Sequence, residues 1–117
     1  MSLDITLYYP VETDSEDDCM HVVWERNVTH NLGRLADALG VYEIIWRPEE
    51  TGGMIECADD MVPPLEVAIS VLLDKFDEYK KYEPENGWGT RNGFIRFMRG
   101  YLEACHEFPN ALIKASR

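Results

Sequence analysis

The segment from Leu3 to Tyr9 restricts the fold most strongly, because its side chains alternate with the period of a β-strand. Apolar residues occupy its odd positions, and Asp4 and Thr6 lie between them. A period of two residues is typical of a strand with one buried face, and Pro10 ends the pattern. The sequence therefore predicts a half-buried strand at this end of the chain.

Two further segments are predicted to join this strand in a sheet. The first runs from Met20 to Arg26, where Met20, Val22 and Trp24 would share one face, and it would form a hairpin with the opening strand. The acidic segment 11–18 would be a solvated loop. It resembles a calcium loop only in its carboxylates, because it lacks the central glycine and the closing glutamate. The second segment predicted to join the sheet is residues 111–116, which would return as a third strand.

Amphipathic patterns predict the helices between the strands. Helix one is expected from Val28 to Leu39, with Asn27 as its N-cap and Gly40 after its end. A short helical turn over residues 42–46 stops before a proline. The apolar stripe of helix one comprises Val28, Leu32, Leu35, Ala36 and Leu39.

The two longer helices follow. Asp59 or Asp60 can cap helix three, and two prolines suit its first turn. Thr90 can cap helix four, which should stop before Pro109. The apolar stripes are Leu65, Ile69, Leu72, Phe76 and Tyr79 in helix three, and Phe94, Phe97, Met98, Tyr101, Leu102 and Cys105 in helix four. The expected fold is α+β: three to four helices packed on a small antiparallel sheet formed by the N-terminal hairpin and the C-terminal strand.

The length and the cysteines indicate one cytoplasmic domain over residues 1–117, in which residues 1–3 resemble an expression-tag remnant. The three cysteines are widely spaced and form no CxxC pair, which fits a reducing compartment. No leader pattern occurs, and no apolar run approaches the roughly 18 residues of a membrane span. Cys105 lies on an apolar stripe and is expected to be an inert buried thiol.

The charge is strongly acidic, with 22 acidic residues against 11 basic ones and a formal net charge of -11. Such a charge opposes approach to phosphate backbones and to anionic lipid, so neither direct nucleic-acid binding nor membrane binding is expected. The acids concentrate near the N-terminus and the bases near the C-terminus. This asymmetry is consistent either with homo-oligomers or with a solvated acidic face.

The sequence NVTHNLG, residues 27–33, is the first candidate site. If Asn27 caps helix one, then His30, Asn31 and Arg34 share its polar flank at the positive end of the helix, which favours an anion or a polarised carbonyl. Asn27 would then stabilise the fold, and His30 and Arg34 would recognise the ligand. In the structural alternative, Asn27 caps, Thr29 bonds the backbone, and the remaining side chains face solvent or satisfy buried carbonyls.

Two tryptophan segments could complete this site. Arg47 offers a bidentate grip on an anion and Trp46 can stack a ring, although Trp46 could equally be core and Arg47 could pair with a nearby glutamate. Trp88 lies between two glycines before helix four, as a lid over a pocket or a plug over the core. The predicted ligand-binding residues are Asn27, Thr29, His30, Asn31, Arg34, Trp46, Arg47 and Trp88.

Signals for catalysis and cofactors are weak. The sequence contains no GxGxxG motif and no P-loop, and its carboxylates show no spacing that singles out an acid and a base. Cys19, His21, Cys105 and His106 could ligate a metal, but their spacing is not that of a zinc site. No cofactor and no metal are therefore expected.

The ordered motifs NVTHNLG, YExxWRPEE, NGWGT and YLEAC, with the terminal Ser116-Arg117, resemble a family of small uncharacterised bacteriophage and prophage proteins. The resemblance covers most of the chain from Asp4 onward. It implies a phage or prophage gene product in the bacterial cytoplasm, and it brings no activity with it.

Three functions are consistent with these observations. The first is an accessory protein that binds a small polar or anionic ligand near the start of helix one. The second is an acidic interaction protein that blocks a basic site on a host protein, as a nucleic-acid mimic would. The third is a small enzyme that uses His30 as an acid or base.

Overall fold

The computed structural model describes residues 2–11 and 19–117, and this part of the chain has the predicted α+β fold. Four α-helices pack against a three-stranded antiparallel sheet of order β2-β1-β3. The strands are β1 (Ser2–Val11), β2 (Cys19–Thr29) and β3 (Leu112–Ser116). The helices are α1 (Gly33–Ala38), α2 (Tyr42–Trp46), α3 (Ala58–Asp74) and α4 (Arg91–Glu107), with short 3-10 turns at His30–Leu32, Pro48–Glu50 and Glu78–Tyr82.

Strand β1 is the centre of the sheet, as its alternation predicts. It pairs with β2 from Ser2 to Val11 and with β3 from Asp4 to Tyr8. Its apolar side chains at positions 3, 5 and 7 are fully buried beneath the helices. The predicted hairpin and C-terminal strand are thus confirmed, and the core reaches into the first three residues through Leu3. The predicted acidic loop lies largely outside the described residues.

Strand β2 contains a β-bulge that changes which of its residues face the helices. Leu7 pairs with Trp24 and Tyr8 pairs with Val22, so Val23 has no partner across the strand pair. Trp24 therefore lies on the core side with Leu7, whereas Met20 and Val22 lie on the opposite face. The prediction that Met20, Val22 and Trp24 share one face is wrong, because strict alternation ends at a bulge.

The predicted start of helix one is also wrong, because β2 continues through it. Asn27 pairs with Asp4 and Val28 pairs with Leu3, so Asn27 is a strand residue and not an N-cap. Val28 fills the core beside β1, and β-branched Val28 and Thr29 favour this extended backbone. The apolar stripe is nevertheless buried at Leu32, Leu35 and Ala36 and half-buried at Leu39.

Both long helices begin at an N-cap, and α4 ends before Pro109 as expected, whereas α3 differs from its prediction at both ends. Its N-cap is Cys57, and Asp60 completes the cap from inside by accepting the backbone N–H groups of Glu56 and Cys57 at 3.0 and 3.1 Å. These bonds lower the pKa of Asp60. Helix α3 ends at Asp74, before Phe76 and Tyr79.

Helix α4 follows its predicted pattern closely. The hydroxyl of Thr90 accepts the N–H of Gly93 at 2.9 Å, which confirms the predicted N-cap. Of its predicted stripe, Leu102 is half-buried and the other five residues are buried. Cys105 is confirmed as a buried thiol, and burial raises its pKa to about 12. Cys57 is also a free thiol, whereas the side chain of Cys19 lies outside the described residues.

The connection between α3 and α4 is held by one arginine. The Arg91 Nη1 donates to the carbonyl of Phe76 at 2.6 Å, and its guanidinium carbon lies 3.9 Å from the centre of the Phe76 ring. The carboxylate of Glu83 accepts both the backbone N–H and the Nε of Arg91. The side chain of Arg91 is only 13% exposed and that of Glu83 only 23%, so this ion pair is partly shielded from water.

Candidate functional site

The three motifs that the sequence singles out meet at the turn after β2. A Cβ atom on Gly89 would lie 3.0 Å from Leu32 and 3.2 Å from Thr29, so the Trp88 loop packs directly on this turn. A Cβ atom on Gly33 would lie 3.3 Å from the ring of Tyr42. Gly89 also has a φ of 125°, which other residues rarely adopt. These glycines allow three separate segments to approach one another.

A histidine–tryptophan hydrogen bond joins two of these segments. Trp46 Nε1 donates to His30 Nδ1 at 2.9 Å, and the indole is only 1% exposed. Tyr42 stacks on the same indole, with 5.2 Å between ring centres. Because Nδ1 accepts this bond, the neutral imidazole of His30 carries its proton on Nε2. His30 therefore presents an N–H donor, and the lone pair that a general base needs is already occupied.

This bond also gives His30 a structural role, and we expect His30→Ala to destabilise the domain by about 1–3 kcal/mol. The substitution would leave the buried N–H of Trp46 without a partner. Chemical denaturation of His30→Ala and of the exposed neighbour Asn31→Ala measures the difference. Asn31→Ala should stay within about 0.5 kcal/mol of the wild type.

A double-mutant cycle isolates the bond. In a Trp46→Phe background, which has no indole N–H, His30→Ala should cost clearly less than it does in the wild type. If His30→Ala is as stable as Asn31→Ala, the hydrogen bond does not hold the turn.

The remaining residues of NVTHNLG are dispersed. The side chain of Asn27 donates to Ser2 Oγ at 2.6 Å and to Asp4 Oδ1 at 2.7 Å, so it bonds across the sheet and does not share a helix flank with His30. Thr29 caps the 3-10 turn, where its hydroxyl accepts the N–H of Asn31 at 3.3 Å. Arg34 lies over the ring of Tyr82, 5.6 Å from its centre. The exposed side chain of Asn31 faces solvent.

Arg47 pairs with a nearby glutamate, which was one of its two interpretations. Its Nη1 lies 2.8 Å from the carboxylate of Glu50, and this contact, followed by the contact with Tyr42, raises the pKa of Arg47.

Arg117, which sequence reasoning did not select, bonds the Glu49 carboxylate and donates to the carbonyl of Trp46 at 2.9 Å. No local pattern marks Arg117, because its partners are distant in the sequence.

Beside this cluster lies an open groove of 570 Å³. It is lined by Asp37, Tyr42, Glu43, Arg47 and Glu50. Three carboxylates thus surround one aromatic ring and one guanidinium, and Glu50 already pairs with that guanidinium. The unbalanced charge of the groove is negative.

The groove includes only one of the predicted ligand-binding residues. Arg47 lines it, whereas His30 and Trp88 do not. Trp88 is 72% exposed, so its indole does not plug the core. A second open groove, of 590 Å³, is lined by residues of β1 and β2 that include Asn27, and neither His30 nor Trp88 contributes to it. The structure brings the motifs together, but neither groove joins His30, Arg47 and Trp88.

Within residues 2–11 and 19–117, no group of three or more His, Cys, Asp or Glu side chains is placed to hold a metal ion. Over the same residues, the helices are too short or too polar to cross a membrane.

In comparisons with known proteins, no protein family, curated protein or solved structure matches the chain.

Proposed function

We propose that this chain is an acidic interaction protein that binds a basic site on another protein through the groove around Tyr42. The observation that carries this proposal is the charge of the groove. Asp37 and Glu43 have no cationic partner among the described residues, and the charge of Arg47 is paired with Glu50. Lysine or arginine side chains of a partner are the groups that such a surface attracts.

The form of the groove supports a macromolecular partner over a small ligand. Sites for small molecules usually enclose most of the ligand and are lined mainly by apolar groups. Here the groove is open and polar, and its net charge would repel the small anion that the sequence suggested.

The enzyme hypothesis has less support. Its base would be His30, and the Nδ1 of His30 already accepts a hydrogen bond from a buried indole. A phage or prophage setting, with a bacterial host protein as the partner, stays a prediction from the sequence motifs. It is compatible with a protein that blocks a basic site.

The proposal can be tested with a fluorescein-labelled oligoarginine peptide as a probe of cation binding. Asp37→Asn combined with Glu43→Gln should weaken binding by about tenfold, since each removes a favourable charge contact of roughly 0.5–1 kcal/mol. The matched control is Asp74→Asn combined with Glu85→Gln, which removes the same charge from exposed positions outside the groove. Fluorescence anisotropy over a salt series measures both variants. An equal loss in the two would mean that only net charge attracts the peptide, and the groove proposal would fail.

A further inference from the structure

The face of the sheet that points away from the helices carries an apolar row. Tyr8 pairs with Val22 on one side and with Leu112 on the other, so the three side chains lie in one line across the sheet. Met20, which pairs with Pro10, extends this apolar surface along β2. Val22 and Met20 are each 43% exposed, and the half-buried Tyr8 and Leu112 do not pack against the core. Aliphatic and aromatic side chains thus share one face of the sheet on a strongly acidic protein.

The adjacent outward-facing row carries opposite charges at its two ends. Thr6 pairs with Glu25 on β2 and with Lys114 on β3. Glu25 and Lys114 are both exposed, and neither forms an ion pair with another described residue. The sheet face therefore has an acid at one edge and a base at the other, at the same level along the strands.

We propose that a second copy of the chain covers this face, related to the first by a two-fold axis that runs parallel to β1. Such an axis exchanges the two edges of the sheet. Glu25 of each copy then faces Lys114 of the other, and Val22 of each copy faces Leu112 of the other. Tyr8 and Thr6 meet their own counterparts at the axis. The face is complementary to itself in charge and in apolar surface, as face-to-face sheet packing requires.

The alternative two-fold axis, across the strands, does not give this match. Centred on the Thr6 row, it places Glu25 on Glu25 and Lys114 on Lys114. It also places the polar pair Asp4 and Asn27 over the apolar row. The positions of the charges therefore select the axis that is parallel to the strands.

Two electrostatic repulsions limit the affinity of the dimer. Each copy carries a formal net charge of -11, and Asp4 lies on the central strand, where it meets Asp4 of the second copy. We therefore expect a reversible dimer whose population depends on concentration. This inference concerns the sheet face and is independent of the groove proposal.

Sedimentation equilibrium over a concentration series tests the inference. The wild-type chain should approach twice the 13.5 kDa mass of one copy as its concentration rises. Glu25→Lys and Lys114→Glu should each weaken the dimer by at least about tenfold, because each places like charges together twice. The double variant, Glu25→Lys with Lys114→Glu, should restore most of the wild-type affinity.

The signs of these effects separate the inference from a simple effect of net charge. Glu25→Lys makes the chain less acidic, so net charge alone would strengthen association, whereas the proposed contact weakens it. Glu107→Lys and Lys80→Glu make the same charge changes at exposed positions away from the face, and Glu107→Lys should not weaken the dimer. A monomeric wild type at every concentration, a stronger dimer in Glu25→Lys, or a double variant no better than the single variants would each overturn the proposal.

Discussion

Deleting residues 111–117 should abolish the cooperative thermal transition of the domain. The deletion removes all of β3, which pairs with β1 from Asp4 to Tyr8, and removes Ala111, whose carbonyl accepts the N–H of Ala58 at 2.8 Å. It also exposes the core that Ile113 and Ala115 cover. We expect a loss of more than about 5 kcal/mol, which is comparable with the whole stability of many small domains.

The control for this deletion keeps the strand and changes its exposed side. Ser116→Ala lies on β3 but its exposed side chain faces away from the core, and it should stay within about 0.5 kcal/mol of the wild type. Circular dichroism during heating measures both proteins. An unchanged melting temperature in the deletion would show that β3 is dispensable.

Replacing Arg91 by leucine should have the second-largest effect, a destabilisation of about 2–4 kcal/mol. The substitution leaves the carboxylate of Glu83, which is 23% exposed, without its counter-ion, and it removes the donor to the Phe76 carbonyl. Arg96→Leu is the matched control, because Arg96 is exposed on the same helix and should tolerate the change. Urea denaturation at neutral pH gives both values, and equal stabilities of the two variants would show that Arg91 does not hold the connection between α3 and α4.

The cost of Arg91→Leu should also depend on pH in a defined direction. The backbone N–H of Arg91, and then its side chain, lower the pKa of Glu83 below its ordinary value of 4.5. A lowered pKa stabilises the folded state above the unfolded-state pKa, and that stabilisation is lost as the pH falls through the folded-state value. The difference between wild type and Arg91→Leu should therefore shrink in acid. A difference that grows on acidification would assign the effect to another group.

Much of the fold could be predicted because its signals are local. The alternation in β1, the cap at Thr90 and the apolar stripe of α4 each follow from residues that are close together in the sequence. The two errors that concern β2 involve distant partners. The pairing of Val28 with Leu3 extends β2 beyond the start expected for helix one, and the pairing of Tyr8 with Val22 places a bulge at Val23. Helical periodicity at residues 28–39 marked the buried side chains correctly but could not decide between strand and helix.

The candidate site was predicted less well than the fold, for the same reason. The Trp46-Arg47 and Trp88 segments lie at the end of α2 and before α4, as predicted, whereas Asn27, Val28 and Thr29 lie on β2 and not on helix one. In all three segments the role of each side chain depends on its partner. Trp46 can lie in the core because His30 accepts the N–H of its indole. The charge of Arg47 is paired with Glu50. The negative charge of the groove arises where Asp37 of α1 meets Glu43 of α2, and no single motif contains both residues.

The position of β1 has a consequence for synthesis on the ribosome. Its partner β2 emerges soon after it, so the hairpin can form early from contacts that are close in the sequence. Its other partner, β3, is translated after all the helices that the structure describes, so one edge of the central strand stays open until β3 emerges. An open edge beside an uncovered apolar face favours pairing between nascent chains. Covering this open edge until β3 has emerged would therefore favour folding over aggregation.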